Sequence, residues 1–572
     1  MQSQVKRREQ KAPLLEKLHP VLGMVYANRG IEKADDLDNG LKNLIPFDKM
    51  LGIDEACLCI YEVLKNKKNI LIVGDFDADG ATSTAVAIRV LKCFGAANVN
   101  YLVPNRFSFG YGLTKEIVDV AAKEFNPNLI ITVDNGIANH DGVDAAKNYG
   151  IDVVITDHHL AGETLPKAAA IVNPNQPNDE FPSKSIAGVG VIFYVLLALR
   201  RKLCAENWFE KNNIPEPNMS QFLDIVALGT VADVVSLDHN NRILVHQGLN
   251  RIRRGKCIPG IKSLLDVAGK SLHNVTAQDL GFIVGPRLNA AGRLDDMSHG
   301  IECLLTEDMQ HAKSLAESLD VLNKERRSIE EKMQESAMLI LQKLKINKEK
   351  TPLGVCLFDK DWHQGVIGIL ASRIKDKLYR PVIAFSQSTN NEIKGSARSI
   401  KGVHIRDVLA EVATQNPGLI LKFGGHAMAA GLSIMQDSLE AFSSAFNQVV
   451  QKHLEGEDLN RTIYSDGELN YEYLTLDVAE LIQSSGPWGQ SFEEPLFDGK
   501  FQLLEQRIVG GKHLKITLAN DDKVVDGIVF NIDENIWPNY RCSCVNIVYK
   551  LDVNEFRNRR KVQLIIDHIE AL

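Results

Sequence analysis

The chain has little that would cross-link, anchor or export it. Nine cysteines among 572 residues, Cys57, Cys59, Cys93, Cys204, Cys257, Cys303, Cys356, Cys542 and Cys544, are odd in number and sparse. They argue against a disulfide framework, and two C-x-C pairs with no second half argue against structural zinc. Reduced thiols in a cytoplasm are the expectation. The longest apolar run, 186–199, is too short to cross a bilayer and ends in Arg200-Arg201-Lys202. Residues 1–17 are charged and lack the apolar stretch of a signal peptide. A soluble, cytoplasmic protein without membrane contact is expected. With 41 Gly and 19 Pro there is too little punctuation for a disordered or collagen-like chain. Positive charge is also short: 65 basic against 73 acidic residues leave −8. That excludes a uniformly basic nucleic-acid coat but not a local basic channel.

What is present is an ordinary globular composition spread over a length too great for one hydrophobic core. Residues 69–172 repeat a short β-branched run, a polar loop and an amphipathic helical pattern. The runs 69–73, 99–103, 129–133, 153–156 and 170–172 are apolar rather than alternating, as in parallel strands covered on both faces. Helical patterns follow at 82–94, 114–124 and 140–149, and another at 220–228 leads into a loop after Gly229. A charged helical stretch follows, with Glu325, Arg326, Arg327, Glu330, Glu331 and Lys332 on a solvated face. A second α/β segment carries glycine-rich turns at Gly395 and Gly424-Gly425. Five short runs, 501–506, 514–518, 524–530, 545–552 and 561–569, then predict a small barrel of OB type. The expected division is 1–68, packing; 69–305, a parallel-sheet domain; 306–350, a connecting helix; 351–457, a second α/β domain; and 458–572, the β-barrel.

Carboxylates recur where the strands end. The first run leads into Gly74-Asp75-Phe76-Asp77-Ala78-Asp79-Gly80, the third into Asp134-Asn135-Gly136, the fourth into Asp157-His158-His159. Ligands of open α/β sheets bind just outside the carboxyl ends of the strands. So many acids in one crevice raise one another's pKa unless cations separate them, and divalent metal is the simplest resolution. Taken singly, an Asp before Gly makes a turn and Asp157 caps a helix. An EF-hand is disfavoured, because Val86 stands where its glutamate belongs. A fourth motif ends in Asp233.

These motifs resemble the DHH phosphoesterase superfamily. With Gly285-Pro286-Arg287-Leu288-Asn289, Gly395-Ser396-Ala397-Arg398 and Gly424-Gly425-His426, the chain is similar in motif order to the RecJ family of single-strand-specific DNA exonucleases. The resemblance implies a DHH domain, a DHHA1-like domain and an OB-like barrel. It implies Asp75, Asp77, Asp79, Asp134, His158 and Asp233 around one or two Mn²⁺ or Mg²⁺ ions. His159 faces the scissile phosphate, and Asp134 and Asp233 bridge the ions as part of the catalytic set. Arg106, Ser396 and Arg398 gather a terminal 5′ phosphate, His426 contacts the backbone, and Arg287 with Asn289 lines the strand's path.

The implied activity is hydrolysis of single-stranded DNA from its 5′ end to nucleoside monophosphates, in recombinational and mismatch repair. A single-strand-binding protein and a RecQ-type helicase are the implied partners. A nucleotide phosphatase or oligoribonuclease of the same superfamily is the alternative enzyme, and a non-catalytic DNA-binding scaffold the alternative class. In the barrel, Arg557, Arg559, Arg560 and Lys561, with Trp488, Phe492, Phe497, Phe530, Trp537 and Tyr549, suggest a strand-binding groove. Against it, 12 basic and 18 acidic residues make 461–572 acidic overall, which leaves protein contact as the alternative role.

Overall fold

The computed structural model describes residues 4–15, 17–105, 111–343, 352–388, 391–454, 462–520, 523–533, 536–556 and 559–572. Arg106 and Arg557 lie outside them. Two compact units emerge, a larger one of Arg7–Val321 with Tyr464–Leu572 and a smaller one built mainly on Leu322–Ile463.

In the larger unit five parallel strands lie in the order Asn98–Leu102, Asn69–Gly74, Leu129–Val133, Asp152–Thr156, Ala170–Val172. The central strands are buried along almost their whole length, which is why their sequences do not alternate. One face packs Leu71, Val73, Ile130 and Ile155 against Ile117, Val118 and Val143 of the helices Lys115–Glu124 and His140–Asn148. Helix Ala78–Cys93 is buried over nearly all its turns, so its Ala, Ser and Thr residues are packing choices. The small side of Gly80 lets the backbone of Asp75 pass, since a Cβ there would lie 2.4 Å from the Asp75 carbonyl oxygen.

Three expectations change here. The helix expected at 220–228 runs Leu223–Ala232, so Gly229 lies inside it and Asp233 is its C-cap. Gly229 interrupts the pattern because a side chain there would strike Thr82 and Val189. Trp488, Phe492, Phe497, Trp537 and Tyr549 are buried, and only Phe530 of the named aromatics is exposed. Tyr26 stacks on Trp488 and Phe492, and Arg29 binds Asp466 through two bonds of 2.8 and 3.1 Å. The N-terminal residues therefore pack on the segment that leads into the barrel as well as on the sheet domain.

The barrel itself is closed. Its strands run Phe497–Val509, His513–Asn520, Lys523–Val529, Arg559–Ala571 and Cys544–Phe556 in order around the ring, and the last pairs with the first. In the smaller unit the order is Lys422–Gly425, Ala429–Met435, Glu392–Arg398, Val382–Gln387, Val355–Phe358, mixed rather than all parallel. Gly395 and Gly424 belong to these strands, not to turns. Gly395 has no side chain because Phe385 and Leu432 fill that space.

The long helix runs Met309–Lys343. Its charged face is not wholly solvated. Arg326 and Glu330 are buried and paired at 2.8 Å, with Asn323 accepting from Arg326 at 2.6 Å and Arg373 donating to Glu330 at 2.8 Å. An i,i+4 ion pair reads the same in sequence whether it faces water or a neighbouring helix.

Candidate metal centre

The sequence builds the centre by placing carboxylates on the loops that leave three adjacent strands. Asp77 caps helix Ala78–Cys93, accepting from the backbone of Asp79 and Gly80 at 2.9 and 3.0 Å. Asn289 takes the next free donor, Ala78 N, at 2.8 Å. Asp79 turns inward and accepts from Gly188 N and Val189 N at 2.7 and 2.9 Å, serving as side-chain cap for helix Gly188–Ala205, whose own N-cap residue is alanine. Asp134 sits in the left-handed region at φ +62°, a conformation that bends the chain away as soon as the strand ends.

Around these, His158 Nε2 lies 3.1 Å from Asp134 Oδ1 and 3.5 Å from Asp233 Oδ2. Three sets of donors close up, each with all its atoms within 4.8 Å of one another: Asp75, Asp77 and Asp134; Asp79, His158 and Asp233; Asp134, His158 and His159. All six expected ligands are thus brought together, and Asp134 and His158 each belong to two sets. Burial, then the neighbouring carboxylates, push Asp79 up to about 7 and Asp134 and Asp233 well above the carboxylate range. A site that holds its acids so reluctantly ionised is a site for positive charge. Hard oxygens with an imidazole among them fit Mn²⁺ or Mg²⁺.

His159, beside Asp134 and His158, is held by Asp157. Its Nδ1 lies 2.7 Å from Asp157 Oδ1, and Asp157 is further held by the backbone N–H groups of Ile137, His158 and His159. Burial is the largest influence and would raise Asp157, but the bond to His159, the charges of both histidines and the Ile137 N–H together hold the carboxyl at about 2; burial would likewise lower His159, but the bond to Asp157 with the charges of Asp157, Asp233 and Asp75 lifts it to about 9. Asp157 is therefore a support for His159, and the first letter of the triplet orients the third. The other ring nitrogen lies 3.3 Å from the hydroxyl of Tyr111, a residue not singled out from the sequence. Its signal was an aromatic between Gly110 and Gly112 shortly after a strand end.

Arg287 and Asn289 each have partners within the protein. Arg287 is buried, with Nε and Nη2 at 2.9 and 2.7 Å from Asp320 and Nη1 on the Ile283 carbonyl, so it does not line an open path. Asn289 is half-buried, and its Oδ1 accepts from Ala78 N. In the smaller unit Ser396 and Arg398 point to the same side of one strand, Arg398 Nη1 donating to Ser396 Oγ at 3.0 Å. Ser396 pairs with Gly431, which pairs with Gly424, and a Cβ at either glycine would meet nothing within 4 Å. Gly368, near the start of helix Ile367–Leu378, closes the other side, its missing Cβ 3.0 Å from Ser396 Oγ and 2.8 Å from Arg398 Nη2. Donors thus gather around an open strip of sheet. His426 is exposed at the tip of the hairpin that follows Gly425.

Comparison with known proteins agrees with this layout. Residues 69–230 match the DHH family, N-terminal domain, 350–452 the DHHA1 domain, and 465–568 the RecJ OB domain. The chain is 50% identical over 572 residues to the single-stranded-DNA-specific exonuclease RecJ of Escherichia coli (strain K12), covering 99% of each. The chain belongs to the RecJ family. Its RecJ relative in Bacillus subtilis (strain 168) is 34% identical, with 97% of this chain and 68% of that one covered. Among solved structures, RecJ from Thermus thermophilus in complex with Mn²⁺ superposes with a TM-score of 0.80 at 28% identity, over 100% of this chain and 80% of that one. An exonuclease RecJ bound to manganese gives 0.59 at 32% identity, over 72% and 98%. No helix among the described residues is long and apolar enough to cross a membrane.

Proposed function

We propose that the chain is a divalent-metal-dependent exonuclease that degrades single-stranded DNA from the 5′ end to nucleoside monophosphates. The observation that carries the reading is the gathering of Asp75, Asp77, Asp79, Asp134, His158 and Asp233 at the carboxyl ends of adjacent strands in a chain half identical to a named RecJ exonuclease. Asp75, Asp77 and Asp134 would hold one divalent ion, and Asp79, His158 and Asp233 a second. Bound there, the ions supply an activated water and offset charge on the attacking and leaving oxygens. Asp157 fixes the ring of His159, which presents an N–H toward the scissile phosphate. By the family resemblance Ser396 and Arg398 receive the terminal phosphate and His426 contacts the backbone; Arg106, expected with them, lies outside the described residues. The polarity and the role in recombinational and mismatch repair rest on the family resemblance, as do the single-strand-binding protein and the RecQ-type helicase as partners. Nine free thiols support a reducing, cytoplasmic setting.

The test is a long end-labelled single strand with Mn²⁺, with and without chelator. Asp134→Ala is expected to abolish hydrolysis and keep strand binding. Mn²⁺ at about a hundred times its Kd should stabilise the wild-type chain by about 2.7 kcal/mol, read as a rise in Tm that Asp134→Ala blunts. Normal turnover by folded Asp134→Ala protein would overturn the ligand assignment, and activity that stops at a few nucleotides would favour an oligoribonuclease.

A further inference from the structure

Tyr111 stands just before Gly112, a few residues ahead of helix Lys115–Glu124. Its carbonyl accepts from Asn139 Nδ2 at 3.5 Å, and the next residue, Gly112, takes φ +71° with Asn139 packed where a Cβ would go. The turn is tight, so the ring is delivered to one place. There it meets Phe76 edge-on, with centroids 5.9 Å apart at 80°, and His159 edge-on at 5.9 Å and 79°. The hydroxyl lies 3.3 Å from the Asp134 carbonyl oxygen and 3.3 Å from His159 Nε2. A carbonyl can only accept, so the phenolic proton goes to Asp134 and an oxygen lone pair faces the imidazole. Asp157 holds the other side of the same ring at 2.7 Å. The imidazole is therefore gripped at both nitrogens, while Tyr111 remains 44% exposed overall and its open side faces solvent.

We propose that Tyr111 is a positioning residue for the exonuclease reaction, its hydroxyl aiming the Nε2 side of His159 while the substrate strand is absent and guiding the ring as the scissile phosphate arrives. The proposal rests on the function proposed above and adds a residue to it. Tyr111 acts in this reading through the ring of His159. Through Tyr111 the carbonyl of Asp134 and the ring of His159 are tied to one hydroxyl.

The discriminating experiment is a double-mutant cycle on full-length protein. Tyr111→Phe keeps both ring contacts and removes only the hydroxyl. Single-turnover rates on a 5′-phosphorylated single strand are measured for wild type, Tyr111→Phe, His159→Ala and the double variant, with Mn²⁺ affinity followed by calorimetry. Tyr111→Phe is expected to lower the rate about ten-fold, the worth of one hydrogen bond, with KM and Mn²⁺ affinity unchanged. In the His159→Ala background it is expected to change nothing further. An equal fall in both backgrounds overturns the proposal, as does a rise in KM, a loss of Mn²⁺ affinity or an unaltered rate. A wild-type chain that cuts no strand overturns the function itself, which a Tyr111 effect confined to one background does not.

Discussion

Asp134 shows how closely the centre is packed at the scale of single residues. A side chain on Gly188 would lie 2.6 Å from Asp134 Cβ and 2.7 Å from its Oδ1, while the Gly188 N–H holds Asp79. One absent methyl group thus seats two carboxylates from different strand ends. Gly188→Ala must move Asp134 or the start of the helix. We expect it to cost about 1–3 kcal/mol of overpacking and to weaken Mn²⁺ binding more than it lowers Tm, measured by calorimetric titration beside thermal unfolding. Unchanged Mn²⁺ affinity would mean that the helix yields instead of the ligand. Arg287 makes the complementary point: an arginine in a family motif is here closed into a pair with Asp320, at no exposed surface.

At the scale of the element, strand Glu392–Arg398 sets its functional side by alternation. Ile393, Gly395 and Ala397 face the core, where Gly395 admits Phe385, and Ser396 and Arg398 face out toward the strip left open by Gly431 and Gly424. Replacing Arg398 by alanine leaves the core side untouched. It should slow degradation of 5′-phosphorylated strands more than of 5′-hydroxyl strands, because a charge-assisted bond to a terminal phosphate is worth about 1.5–3 kcal/mol. Equal slowing of both substrates would assign Arg398 to an internal phosphate or to structure. The long helix Met309–Lys343 teaches the reverse lesson, since its buried Arg326 and Glu330 look like surface charges until Arg373 is seen beside them.

At the scale of the whole molecule, Tyr464–Leu572 shares one compact unit with Arg7–Val321. Asp466 is fully buried as the partner of Arg29, itself nearly so, with Asn28 donating to it at 3.1 Å. Removing one partner of such a pair strands the other charge, so Asp466→Ala should cost roughly 3–5 kcal/mol and lower the Tm of the unit that carries the metal centre. A Tm within a degree of wild type would show that the joint between N-terminal residues and barrel contributes little. For the same reason a chain that ends before Tyr464 is a poor test of strand binding: it removes the partners of Tyr26, Arg29 and Arg242, the last of which lies 4.3 Å over the Phe492 ring. Substitution at exposed Phe530 tests the barrel without that loss.

The sequence by itself determined the strands of the catalytic sheet, their parallel character and the acids that would meet. Each of those signals is local: a run of apolar residues, or a carboxylate in the first few positions after it. It also determined the five strands of the barrel, though neither its closure nor which of its aromatics are core. Only tertiary structure decided that Asp157 supports His159, that Asp79 caps a helix more than a hundred residues away, that Asn289 accepts from Ala78 N, and that Arg287, Arg326 and Glu330 are engaged inside the protein. Burial and hydrogen-bond partnership depend on what other parts of the chain bring to a position. A charged side chain carries the same letter whether it meets water, a ligand or a buried counter-charge.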